Sequence, residues 1–150
     1  MSKLLIVDEN ELTVYLIRKI AEERGYKCSI AQSNEDALAH LRLVEYDVIV
    51  LDYMLGEETA IPTIEHIACE NLTAKLILYT CANIAEIQKA LNGNLRRISR
   101  IYDKADPSLA EQVAPFGEML EEVCPPRPSW SFTLRRAALT CLAIAGIRHA

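Results

Sequence analysis

One short stretch, Asp47-Val48-Ile49-Val50-Leu51-Asp52, limits the folds that are open to this chain. It contains four consecutive apolar residues that favour β structure, and it ends in a carboxylate. An apolar run without alternation is typical of a strand buried on both faces, as in the middle of a parallel sheet. Asp52 then lies at the carboxyl end of the strand, where open α/β sheets place their chemistry. A single Asp at this position is more often a turn or cap residue. The residues at the other strand ends must therefore show whether Asp52 belongs to a functional site.

The chain is long enough for one domain with a full core and a short appendage, since it has 150 residues. Its composition, 51% hydrophobic and 25% charged, is that of a globular protein, and the net charge of -5 argues against a nucleic-acid surface on the main body. The charge is uneven. Residues 124–150 contain four arginines and no acid, which leaves a net charge of -9 on residues 1–123.

The five cysteines are Cys28, Cys69, Cys81, Cys124 and Cys141. They are odd in number and scattered, with no CxxC pair and no histidine at metal-ligand spacing, which is typical of reduced cytosolic thiols. A strand-like run follows Met1-Ser2-Lys3 directly and leaves no room for a signal peptide. We therefore expect a cytoplasmic protein.

Strand patterns alternate with helix patterns along the chain. The predicted strands are 3–8, 27–31, 47–52, 76–80 and 100–103, and helices are predicted to begin at Asn10, Ser33, Pro62, Asn83 and Asp106. This (βα)5 alternation predicts a flavodoxin-like α/β fold, which is a doubly wound parallel sheet with helices on both faces. Of the common orders for such sheets, 2-1-3-4-5 suits five strands and places strands one and three side by side.

Three details of the helices follow from the same patterns. Leu12, Leu16 and Ile20 are spaced by four and are predicted to form the buried face of the first helix. Ile84, Ile87 and Leu91 are predicted to face the core from the fourth helix. Pro115 lies inside the fifth, where a proline costs roughly 3 kcal/mol or more, so we expect a kink or a split there.

In this arrangement polar residues end four strands at one edge of the sheet: Asp8, Glu9, Asp52, Thr80 and Lys104. Each has a structural explanation by itself, as a turn former, a β-branched strand end or a solvated charge. Together they are harder to explain in that way. Carboxylates 4 Å apart repel by about 4 kcal/mol per pair at an effective dielectric of 20. The cluster therefore needs cations, which Lys104 and a hard divalent ion such as Mg²⁺ would supply.

With these residues at its strand ends, the chain resembles the receiver domain of bacterial two-component response regulators over residues 3–123. The matching motifs are Leu4-Leu5-Ile6-Val7-Asp8-Glu9, Val48-Ile49-Val50-Leu51-Asp52, Thr80 and Lys104. The resemblance implies that a histidine kinase or a phosphotransfer protein phosphorylates Asp52. It also implies that Thr80 and Lys104 contact the phosphoryl oxygens. The implied Mg²⁺ ligands are Asp8, Glu9, Asp52 and the backbone carbonyl of Met54.

The resemblance further implies a signalling domain, which at most catalyses its own phosphorylation and dephosphorylation. Thr80 would move toward the phosphoryl group and change a surface that binds a downstream protein target. Some residues depart from the family pattern: Glu9, Gly56, Ala105, and Ile101 in place of an aromatic residue, with Tyr102 one place off. These departures leave open an alternative, a phosphorylation-independent interaction domain or pseudo-receiver. A flavodoxin-like cofactor binder is disfavoured because the loop after strand one is acidic where an anion would bind.

The tail is predicted to consist of a Pro-rich connector at 124–132 and an apolar helix at 133–150. Its apolar part, 137–147, would be about 16 Å long, too short for a hydrocarbon core of about 30 Å. Such a helix must be buried, through a homodimer, a partner helix, its own domain or a further output domain, and we rank the first two slightly ahead. Surface binding to a membrane is a minor possibility. There is no room for a helix-turn-helix, so direct nucleic-acid binding is not expected.

Overall fold

A computed structural model describes residues 1–70, 72–91, 94–104 and 109–127. Its main sheet has five parallel strands, which are β1 (Ser2–Val7), β2 (Tyr26–Ala31), β3 (Val48–Leu51), β6 (Lys75–Thr80) and β7 (Ile98–Asp103). A separate antiparallel ribbon consists of β4 (Met54–Leu55) and β5 (Glu58–Thr59). The strand order is β2-β1-β3-β6-β7. This confirms the predicted 2-1-3-4-5 order, in which the ribbon is not counted.

The helices cover both faces of the sheet. They are α1 (Glu11–Glu23), α2 (Asn34–Leu43), α3 (Ile61–Cys69), α4 (Ile84–Leu91) and α5 (Leu109–Val123), and a short 3₁₀ helix spans Asn94–Arg97. Core residues of α1 and α5 pack with Val48 and Val50 on one face of the sheet. Those of α2, α3 and α4 pack with Ile49 and Leu51 on the other. The flavodoxin-like doubly wound fold is therefore confirmed.

The buried character of β3 follows from its position between β1 and β6. Its four residues are at most 1% exposed, because helices cover them from both sides. The edge strand β7 is half-buried or exposed along its length. The strand β3 is thus apolar throughout, and in β1 and β6 the polar residues lie toward the strand ends.

Two predicted helix faces are only partly right. In α1 the buried residues are Val14, Ile17, Ile20 and Ala21, whereas Leu12 is 57% exposed. The mixed spacing of three and four keeps this stripe on the sheet, while the row of leucines lies beside it. In α4, Ile87 and Leu91 are buried but Ile84 is 41% exposed. Ile84 begins α4 at the carboxyl edge of the sheet, where the strands beneath it have ended.

A split at Pro115, one of the two alternatives predicted there, is excluded, because α5 is continuous from Leu109 to Val123. Phe116 and Leu120 are almost fully buried, so their packing offsets the hydrogen bond that the proline cannot make. The Asp106-Pro107 opening of this helix lies outside the described residues. So do residues 128–150, with most of the predicted connector and the predicted C-terminal helix. Within the described part of the chain, no helix is long and apolar enough to span a membrane.

A buried asparagine holds the ribbon against the helices. Asn34 is 6% exposed, and its Nδ2 donates to the carbonyl of Thr59 at 3.0 Å. Its Oδ1 accepts from Thr63 Oγ1 at 2.7 Å, in the first turn of α3. At the tip of the ribbon Gly56 has a φ of +67°, which favours glycine. Since the ribbon starts two residues after Asp52, Asn34 indirectly fixes the chain next to the acceptor candidate.

Replacing Asn34 by alanine should lower the free energy of unfolding by about 1–3 kcal/mol, since the Thr59 carbonyl and the buried Thr63 hydroxyl lose a partner. The double variant Asn34→Ala/Thr63→Val should cost less than the two single changes added together, because valine needs no hydrogen bond. Urea unfolding of the four proteins measures this. Additive costs would contradict the coupling of these two side chains.

Candidate functional site

Four polar residues meet at the carboxyl edge of the sheet because their strands are parallel and end together. Asp8 and Asp52 follow β1 and β3, whose last residues, Val7 and Leu51, are paired. The amide of Asp52 donates to the carbonyl of Val7 at 2.8 Å, which extends the pairing to the acceptor candidate. Thr80 ends β6, and its carbonyl accepts from the amide of Lys104 at 2.9 Å. The backbone thus brings both carboxylates, the hydroxyl and the ammonium to one edge.

The side chain of Lys104 lies between the two carboxylates. Its Nζ is 2.5 Å from Asp8 Oδ2 and 2.6 Å from Asp52 Oδ2. Asp8 is 2% exposed, Lys104 12% and Asp52 14%. Three charges are therefore gathered in a region with little water, where the ammonium offsets the repulsion of the acids.

The second oxygen of each carboxylate is held by a backbone amide. Asp8 Oδ1 accepts from the amide of Asn10 at 2.8 Å, and Asp52 Oδ1 accepts from that of Met54 at 3.2 Å. These bonds leave little freedom for either side chain to rotate. Asp52 is consequently presented with a fixed orientation and a small exposed fraction, as a nucleophile at the edge of a cleft would be.

Burial and charge act in opposite directions on this cluster. Burial raises the pKa of the Asp8 carboxyl, although the hydrogen bonds from Lys104 and Asn10 oppose the change. Burial tends to lower the pKa of the Lys104 ammonium, but its hydrogen bonds to Asp52 and Asp8 outweigh burial and the pKa is raised. Lys104 therefore stays charged at neutral pH, and its contribution to stability is lost only as the pH rises through this raised pKa.

Thr80 and Tyr79 complete the surroundings of the ammonium. Thr80 is 1% exposed, and its Oγ1 accepts from the amide of Ala82 at 3.1 Å, in the loop before α4. The ring of Tyr79 lies 5.1 Å from Lys104 Nζ, within the range of a cation–π contact. Sequence reasoning missed Tyr79. Its place immediately before the strand-ending Thr80 was a signal that could have identified it.

Glu9 does not join this cluster. Its side chain is exposed, and Oε2 lies 3.1 Å from the position that a Cβ on Gly56 would occupy. Within residues 1–70, 72–91, 94–104 and 109–127, no three Asp, Glu, His or Cys side chains are grouped so that they could hold a metal ion. The structure therefore brings Asp8 and Asp52 together and leaves Glu9 beside the ribbon.

The remaining oxygens still suit a magnesium ion. Mg²⁺ is usually bound through one or two carboxylates, with waters and phosphate oxygens as further ligands, so a third acid is not required. Asp8 and Asp52 both accept a hydrogen bond from the Lys104 ammonium. The amide of Met54 donates to Asp52 Oδ1, which keeps the Met54 backbone beside Asp52. All these donors are hard oxygens. The donor set thus fits Mg²⁺ through Asp8, Asp52 and the Met54 carbonyl.

The neighbouring residues Ile101 and Tyr102 lie on opposite faces of β7. Ile101 packs against the core beneath α2, α3 and α4. Tyr102 packs on the α1–α5 face, with ring centroids 5.5 Å from Tyr79 and 5.7 Å from Phe116. Tyr102, which lies one place from the position where the family pattern has an aromatic residue, is therefore part of an aromatic cluster that reaches from the site to α5.

Comparison with known proteins agrees with this geometry. Residues 4–98 match the family described as the response regulator receiver domain. Over 89 residues, the chain is 32% identical to the alkaline phosphatase synthesis transcriptional regulatory protein PhoP of Bacillus subtilis. The aligned residues make up 59% of this chain and 37% of PhoP. The chain thus spans little more than a third of this relative's length.

Solved structures show the same fold at low sequence identity. Chemotaxis protein CheY4 of Vibrio cholerae is 17% identical, with a TM-score of 0.69, and the match covers 82% of this chain and 98% of CheY4. Response regulator TrrA of Thermotoga maritima, solved in complex with Mg²⁺-BeF, is 22% identical with a TM-score of 0.60. That match covers 77% of this chain and 98% of TrrA.

Replacing Lys104 by methionine should lower the free energy of unfolding by about 3–5 kcal/mol at pH 7.5 without divalent ions, since it leaves a buried carboxylate without a counter-charge. The loss should shrink at pH 5. The remaining carboxylate, Asp52, raises the pKa of Asp8 further, and a carboxyl whose pKa is higher in the folded state favours folding as the pH falls.

Urea unfolding at the two pH values measures this effect. Arg18→Met is the matched control, because Arg18 pairs with Glu22 on the exposed face of α1 and its loss should change little at either pH. A cost of Lys104→Met that does not depend on pH would contradict a shared ammonium.

Proposed function

Because this chain belongs to the response regulator receiver domain family, we propose that it is phosphorylated on Asp52 by a histidine kinase or a phosphotransfer protein. The observation that carries the proposal is the position of the Asp52 carboxylate, which lies 2.6 Å from the Lys104 ammonium at the carboxyl edge and is still 14% exposed. A donor can reach this carboxylate from solvent, whereas Asp8 is almost completely covered.

The roles follow from the contacts. A carboxylate oxygen of Asp52 attacks the phosphorus in line with the leaving group of the donor, forms an acyl phosphate, and the donor leaves with the electrons of the broken bond. Lys104 donates to the phosphoryl oxygens in place of its bond to Asp52. Thr80 Oγ1 accepts a hydrogen bond from the amide of Ala82. The Thr80 side chain therefore turns toward the phosphoryl group only if the loop that contains Ala82 moves.

We assign the ligands of Mg²⁺ to Asp8, Asp52 and the Met54 carbonyl, with Glu9 on the outer side of the site. When bound, the ion neutralises charge on the phosphoryl oxygens, the function that divalent metals have in other phosphoryl transfers. The complex of TrrA with Mg²⁺-BeF supports this assignment by similarity of fold.

The product of the reaction is a changed surface. Phosphorylation adds negative charge beside Lys104, and movement of Thr80 displaces the loop that leads into α4. Tyr79 immediately precedes Thr80 in strand β6 and contacts Phe116 of α5, with ring centroids 5.2 Å apart. We therefore propose that the surface formed by α4, β7 and α5 binds the downstream protein. The kinase and the target would both lie in the cytoplasm. The domain signals and converts no metabolite.

Incubation with Mg²⁺ and a small acyl phosphate donor should add the mass of one phosphoryl group to the native chain. The adduct should be stable in acid and labile in base, as an acyl phosphate is. Asp52→Asn should take up none, since its amide is not a nucleophile. Intact-mass spectrometry measures the adduct, and Asp103→Asn is the control, because Asp103 is an exposed Asp at the same edge.

Labelling that persists in Asp52→Asn would place the acceptor elsewhere. An unlabelled native chain, with donor and with the cognate kinase, would favour the phosphorylation-independent alternative. In that case Asp52→Asn would bind the downstream target as well as the native chain does.

The magnesium requirement should distinguish the two neighbouring acids. Asp8→Asn should raise the Mg²⁺ concentration for half-maximal labelling by about tenfold or more, which corresponds to at least about 1.4 kcal/mol. Glu9→Gln should raise it much less, because Glu9 lies apart from the two grouped carboxylates. Initial labelling rates over a Mg²⁺ titration measure both. A larger effect at Glu9 would mean that its side chain moves into the site when metal binds.

A further inference from the structure

The last described residues of the chain are attached to the amino edge of the sheet, opposite the phosphoacceptor site. The amide of Arg127 donates to Ser2 Oγ at 2.9 Å, and its guanidinium to Asp47 Oδ1 at 2.7 Å. The Tyr26 hydroxyl donates to the carbonyl of Cys124. Asp47 immediately precedes β3. Residues 124–127 therefore lead from the end of α5 to the amino edge of the sheet, beside the start of the central strand.

An apolar groove opens beside this point, on the face covered by α2 and α3. It has a volume of about 220 Å³, and its apolar lining includes Leu41, Val44, Leu72 and Ala74. Tyr46, which is adjacent to Asp47, also lines it. Because the volume is below the roughly 300–1,000 Å³ of small-molecule sites, the groove suits one or two apolar side chains of a polypeptide.

The charges around the groove identify the polypeptide that suits it. The two charged residues that line it, Glu45 and Glu70, are both acidic and exposed. Residues 128–150 contain Arg135, Arg136 and Arg148 and no acid, and these arginines flank the apolar stretch 137–147. A segment with an apolar centre and basic ends complements an apolar groove with acidic walls.

The connection is long enough for the segment to reach the groove. Nine residues, 128–136, separate Arg127 from the apolar stretch and span at most about 30 Å when extended. The groove begins at Tyr46, one residue from the Asp47 that holds Arg127. An apolar stretch of this length also has to be covered from water.

From these observations we propose that the groove between the ends of α2 and α3 binds the apolar segment 137–147 of the same chain, with the flanking arginines against Glu45 and Glu70. The contact lies at the amino edge and leaves the carboxyl edge free for a phosphodonor.

The native thiols provide the test. Cys69 is exposed at the end of α3, next to Glu70 of the groove, and Cys81 is exposed directly after Thr80 at the opposite edge. About 17 Å of strand separates the two ends of β6. Cys141 lies inside the apolar segment. Burial raises the pKa of Cys28 to about 12 and also raises that of Cys124, so both thiols react slowly at pH 7.

The full-length chain is treated at low concentration with a short bismaleimide, and the linked peptides are mapped by mass spectrometry. We expect Cys69–Cys141 links within one chain, several-fold more abundant than Cys81–Cys141 links. The variant Cys141→Ser/His149→Cys repeats the measurement from the end of the segment and keeps Arg148, in case the Cys141 thiol is covered. Comparable links to both edges, no link to Cys69 in either protein, or links between two copies would overturn the proposal, the last result in favour of a dimer.

Charge reversal in the groove separates specific docking from chance collisions. Glu45→Lys/Glu70→Lys should lower the yield of the Cys69 link several-fold, while Glu86→Lys, an exposed change on α4, should leave it unchanged. An equal yield in all three proteins would overturn the assignment of the groove. The phosphoryl labelling of Asp52 does not enter this test, so the docking and the proposed function can fail separately.

Discussion

The contact of one ammonium with two carboxylates is the interaction on which the rest of the site depends. Asp8 and Asp52 lie at the ends of paired strands, where their charges would repel strongly if water and cations were absent. Lys104 comes from β7, which is two strands away from β3 and three away from β1. At about 4.8 Å per strand, only a long side chain can cross β6 to reach them. The order of the strands thus explains why a lysine, rather than a short polar residue, ends β7.

The same contact would let the site respond to phosphorylation. The two carboxylates outnumber the ammonium, so a phosphoryl group on Asp52 would add negative charge and change the partners of Lys104, with Mg²⁺ as the further cation. The neighbouring aromatic contacts would transmit such a change. Tyr79 lies beside the ammonium and packs against Tyr102 and Phe116, so a shift of β6 reaches α5 through aromatic rings that are in direct contact. Packed rings of this kind move together, because the interior leaves few voids.

The parts of the fold that the sequence predicts are those controlled by long apolar periodicity. The runs in β1 and β3 required buried strands, and the crossover rule then placed Asp8 next to Asp52 without any knowledge of side-chain contacts. The position of Glu9 was not predictable in this way, since an exposed side chain after a strand end is directed by the local loop. The ribbon of β4 and β5 was missed because strands of two residues carry no period. In α1, leucines spaced by four outweighed the true stripe of Val14 and Ile17, which only the position of the sheet could identify.

The strand β3 carries an Asp at each end, and the two are held with different strength. Asp52 contacts Lys104, which is 12% exposed, whereas Asp47 contacts Arg127, whose side chain is 72% exposed. Water screens the second pair, so this pair alone stabilises the position of the connector very little. The hydrogen bonds of Ser2 and Tyr26 bring residues 124–127 to the amino edge. The proposed attachment of the apolar residues beyond Arg127 would come mainly from burial of their own side chains, and among the described surfaces the apolar groove beside Tyr46 would offer that burial next to Arg127.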